Sequence, residues 1–147
     1  MKTYPPLLAV LLASSTSFAA PTAPVGQGVR KTSLSELAVS CAAIANRQAL
    51  EAHTIRVPAN VEPSRKPAIV MFLIVRDMWM ANIGEDISVE QMAELNARVE
   101  GQSNAAIESE GGFCRTQALA AFQHATPAMQ TTIRANAQAS YSRTFKD

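Results

Sequence analysis

From position 33 onward, apolar residues recur every three or four positions between prolines and glycines, which is the period of amphipathic helices. Ser33 followed three residues later by Glu36 forms a capping box, so a first helix is expected to begin at Leu34. On that helix Leu34, Leu37, Ala38, Cys41, Ile44, Ala45 and Ala49 share one stripe, and Glu36, Ser40, Arg47 and Glu51 fall away from it. From His53 to Pro67 the period vanishes and Pro58, Pro63 and Pro67 punctuate the run, which predicts the longest internal loop. Ile69 to Val75 is the most apolar stretch after the leader, and a central helix is expected over 68–83 with Gly84 as its C-cap. A buried strand would suit seven apolar residues equally well, but no second strand-like run exists to pair with it.

A second capping box, Ser88 with Gln91, predicts a third helix from Val89, with Val89, Met92, Leu95, Asn96, Val99, Ser103 and Ala106 on one face. Its short connection to the central helix suggests antiparallel neighbours, and Glu110, Gly111 and Gly112 are read as its stop. A fourth helix then carries Cys114, Ala118, Ala121, Phe122 and Ala125 on its inward face. Thr126 and Pro127 look like an N-cap and first helical position, opening a weakly patterned fifth helix with a thin seam of Met129, Ile133, Ala137 and Tyr141. The end, Ser142 to Asp147, is expected to fray. The fold class implied is all-α, a small bundle of four to five helices.

Residues 1–19 have the three parts of a secretory signal peptide: an early positive charge at Lys2, an apolar run from Leu7 to Ala13, and small residues at Ser17 and Ala19 before the cut. The run is far shorter than the roughly 20 apolar residues a membrane span needs, so no membrane span is expected after cleavage. Residues 20–32 mix proline, glycine and small polar residues and read as a flexible tether; residues 33–147 form a single helical domain. Export puts the protein in a periplasmic or secreted setting. There Cys41 and Cys114, the two cysteines of the chain, are expected to pair and tie the first helix to the fourth. Closing a loop of roughly 70 residues is worth about 4 kcal/mol in the chain-entropy model.

Loss of Lys2 leaves acidic and basic residues in balance, so no strong field draws nucleic acid or anionic lipid. The aromatic share is only 5%, which with abundant alanine favours closely packed helices over sheet. No nucleophile motif, phosphate-binding glycine loop, HExxH pair or CxxC occurs; no cofactor or metal is indicated and no catalytic residue is assigned. Met78 and Met80, with Met71, Met92 and Met129, invite a copper reading, but residues two apart on a helix point roughly 200° from each other. Core gap-filling is the plainer role. His53 and His124 sit near helix ends, where a positive charge is favourable, and two ligands do not make a zinc site.

The polar candidates are Arg76 and Asp77, which interrupt the most apolar helix, and Trp79, an aromatic of the kind found at binding hot spots. Arg56, Arg65 and Lys66 make the proline-rich loop basic and able to grip an acidic partner, or simply a solvated crossover. The expectation is a non-enzymatic binding, inhibitor, immunity-type or accessory protein acting on another envelope or secreted protein. The alternative is a small periplasmic enzyme with a pocket near Arg76 and Asp77.

Overall fold

A computed structural model describes residues 32–145. The expected signal peptide (1–19), the expected tether as far as residue 31 and the last two residues lie outside the described residues. The order is α1 (Leu34–Thr54), a 3-10 turn (Glu62–Ser64), α2 (Arg65–Met80), α3 (Val89–Glu100), α4 (Asn104–His124) and α5 (Pro127–Thr144), with no strand among the described residues. The all-α bundle is therefore as expected, and so is the covalent tie: Cys41 on α1 is bonded to Cys114 on α4, 73 positions apart, with Cα atoms 5.4 Å from each other.

Local chemistry explains where the helices start. Ser33 accepts from the Glu36 backbone N–H at 3.1 Å while its own N–H donates to the Glu36 carboxylate at 2.9 Å. Ser88 and Gln91 repeat that exchange ahead of α3 at 3.2 and 2.9 Å. The exposed Glu90 carboxyl in the same turn is held below its usual range, first by its own backbone N–H and then by the Ser88 hydroxyl. Thr126 caps α5 through the Met129 N–H, with Pro127 at the first helical position.

The helix boundaries differ from expectation at three places. The proline-rich loop shrinks to residues 55–64, because α1 continues to Thr54 and α2 begins at Arg65 rather than Ala68. Pro63 falls at the start of the 3-10 turn and Pro67 in the first turn of α2, where a missing N–H leaves no bond unmade. At the other end α2 stops at Met80 and Ala81 is its C-cap; Gly84 lies beyond, and the buried Asn82 folds back to donate to the Met78 carbonyl at 2.8 Å.

The third difference is larger. α3 ends at Glu100, a new helix starts after Ser103, and Gly111 and Gly112 lie inside α4 without ending it. A glycine ends a helix by taking left-handed backbone, and neither residue does so. Gly111 is instead a contact point: a Cβ there would sit 2.5 Å from Gln48 Nε2 and 2.8 Å from its Oε1, so its bareness lets α4 approach α1 beside the disulfide. Gly112 faces no heavy atom within 4 Å. Substituting Gly112→Ala should therefore stabilise the protein by about 0.5 to 1 kcal/mol, through helix propensity alone, raising the thermal midpoint by a few degrees. Gly111→Ala should show no such gain unless Gln48 is shortened to alanine as well.

α1 is the hub of the bundle. It pairs with α2 along its length, α5 covers α2, and α3 and α4 rest on α1. The small stripe Ala38, Ala45 and Ala49 on α1 meets Ile69, Leu73 and Val75 of α2, all essentially without exposure, in one core. α3 is a peripheral helix: of its residues only Val99 is buried, and Val89, expected on the inner face, is 71% exposed. It lies against α1 and barely touches α2, so the expected antiparallel neighbours are instead held apart. A polar latch explains this, since the buried Ser35 hydroxyl donates to Asp86 and accepts from the Gly84 N–H at 2.8 Å, pinning the α2–α3 connection to the start of α1. The chain end does not fray as far as Phe145, whose ring is buried 5.0 Å from His53 and 5.7 Å from Tyr141.

Candidate functional site

Because α2 and α3 stand apart on α1, the space between them is an open groove of about 430 Å³. Its floor on α1 is made of Val39, Ala42 and Ala43, whose short side chains leave it shallow, and Leu50 stands at one end. Met80 lines it from the end of α2, Ile83 from the connection that follows, and Met92 and Val99 from α3. Leu50 is 45% exposed and Met80 53%, so two large apolar side chains face solvent from one concave surface. Its polar lining consists of Asn46, Arg47, Arg76, Asn96 and Glu100. The volume lies within the roughly 300 to 1,000 Å³ of ligand sites.

Arg47 fixes one wall. Its guanidinium donates to the Val99 and Gln102 carbonyls, each at 2.9 Å, to Asn104 Oδ1 at 2.7 Å and to Glu51 at 2.9 Å. It thus caps the C-terminus of α3 from α1, where a cation also meets the negative end of the helix dipole. Arg98 of α3 adds a bond to Ser40 at 3.3 Å. The Arg47 donors are therefore committed to holding α3 on α1, while the exposed Asn46, Asn96 and Glu100 add polar groups along an otherwise apolar surface.

The predicted site residues are dispersed. Arg76 lines the groove, pairs with the adjacent Asp77 at 2.7 Å and donates to Ser140 of α5 at 3.0 Å. Trp79 borders no surface: it is 2% exposed, and its Nε1 donates to the Cys114 carbonyl at 2.9 Å inside the core. Arg65 turns inward as a cap, donating to the His53 and Ile55 carbonyls at 3.1 and 2.8 Å while pairing with Glu62 at 2.9 Å. Arg56 is exposed, and Lys66, also exposed, holds its ammonium 4.9 Å from the centre of the Tyr141 ring.

Met78 is buried while Met80 faces the groove, as their 200° separation requires. Among the described residues no three of His, Cys, Asp and Glu gather as a metal-binding group.

Arg47, Leu50 and the alanine floor were not among the sequence candidates. A signal for them exists: Val39, Ala43 and Leu50 lie out of phase with the α1 stripe, so α1 carries a second apolar face that no solvated helix needs. Among the described residues no helix is long and apolar enough to cross a membrane. Comparison of the chain with protein-family models, curated proteins and solved structures finds no match.

Proposed function

We propose that this chain is an exported, non-enzymatic binding protein of the cell envelope that holds an apolar segment of another envelope or secreted protein, as an inhibitor, an immunity-type factor or an accessory subunit. The observation that carries the reading is the groove between α2 and α3, with Leu50 and Met80 half exposed over a floor of small residues. Two helices parted on a third form a trough with room for the apolar face of one more helix, the helix-in-groove mode of recognition. The secretory leader and the disulfide support an oxidising compartment outside the cytoplasm.

A photo-crosslinking residue at Met80, introduced in the native host, tests the proposal. The expected result is a discrete adduct with one exported protein, absent when the crosslinker replaces Phe113, which is equally exposed on α4. Leu50→Asp should reduce that adduct by about tenfold or more while shifting stability by less than about 1 kcal/mol, because Leu50 is half exposed. Equal labelling from both positions, or indifference to Leu50→Asp, would refute a specific groove.

A further inference from the structure

A second groove, of about 510 Å³, runs between α2 and α5. Its floor is apolar, formed by Val70, Met71 and Ile74, and Pro67 stands on its rim. Lys66 lines it from α2 and Arg134 from α5. These two cations differ from the three paired arginines of the fold. Arg47, Arg65 and Arg76 each have a carboxylate within 2.9 Å, whereas Lys66 and Arg134 have none among the described residues. Each of the two instead lies over an aromatic ring, Lys66 above Tyr141 and Arg134 at 5.2 Å above Phe122. A cation over a ring face keeps its charge uncompensated and its donors available while its stem is held in place.

Two uncompensated cations on an apolar trough are complementary to an anion attached to an apolar body. We infer that the α2–α5 groove binds an aliphatic carboxylate, with the carboxylate between Lys66 and Arg134 and the chain along Val70, Met71 and Ile74. Its volume fits a small amphiphile, and the proline on its rim offers no N–H to a polar chain. This site is separate from the groove that carries the proposed function and stands or falls independently of it.

The probe is sodium decanoate, kept below its micellar concentration and titrated at low ionic strength into the oxidised protein carrying ¹³C-methyl methionine. Saturable, one-to-one shifts at Met71, with none at Met80 or Met92, are expected. Decan-1-ol should bind about tenfold more weakly or worse, because it lacks the charge that the cations recognise. The double variant Lys66→Gln, Arg134→Gln should also lose about tenfold in affinity with an unchanged far-UV spectrum, and Arg134→Gln alone a part of that. The inference fails if Met71 does not shift, if the alcohol binds as well as the acid, or if the double variant binds normally. An acidic leucine-rich peptide that shifts Met71 where decanoate does not would replace the aliphatic carboxylate with a protein ligand.

Discussion

Replacing Cys41 and Cys114 together by alanine is expected to lower the thermal midpoint by about 10 to 20 °C, the equivalent of about 4 kcal/mol for a loop of this size. The bridge joins helices distant in sequence, so its removal frees a long stretch of the unfolded chain while the folded helices keep their other contacts. Far-UV circular dichroism of the oxidised protein and the double variant measures the difference. Both sulfurs are almost wholly covered, Cys41 at 1% and Cys114 at 2% exposure, so dithiothreitol should reduce the bond slowly until denaturant opens the core. A midpoint within about 4 °C of the oxidised protein would show that helix packing, and not the bridge, dominates stability.

Trp79→Ala should cost about 3 to 5 kcal/mol, the usual range for emptying a buried aromatic site. Trp79 is among the largest fully buried side chains of the core, and its indole N–H reaches the Cys114 carbonyl from α2, so it braces α2 against the bridged α1–α4 pair. Trp79→Phe separates the two contributions: it retains most of the packing and gives up the donor, for a cost of about 1 to 2 kcal/mol. Because Trp79 and Cys114 touch, removing the indole and the bridge together should cost less than the sum of the separate losses, a coupling that a thermodynamic cycle measures. Strict additivity would mean that the indole and the bridge stabilise different parts of the fold.

The helical class and the cysteine pair could be read from the chain because they depend on local signals. The Ser33 and Ser88 boxes occur as expected to the residue, and Cys41 and Cys114 each fall in the centre of an apolar stripe that is buried. What could not be read depended on which helices meet. Gly111 has the appearance of a stop until Gln48 is seen against it, and the true start of α4 at Ser103 lacks the acid or amide three residues on that marked the other two boxes. Arg76, Asp77 and Trp79 were grouped because they are neighbours in sequence, yet the helix turns Trp79 into the core and leaves Arg76 beside the groove. The basic loop divides in the same way, since Arg65 serves the last carbonyls of α1 while Lys66, one position on, projects over Tyr141. Charge in a sequence does not reveal whether a nearby helix end has already claimed it.

The sulfur bond between α1 and α4 also makes the polypeptide a closed ring from position 41 to position 114, with the largely exposed stretch 55–60 inside it. A protease that hydrolyses one peptide bond there, after Arg56 for instance, severs the backbone without releasing a fragment. The two pieces stay linked through sulfur and share one helical core, so a first cut in a protease-rich surrounding leaves both grooves assembled.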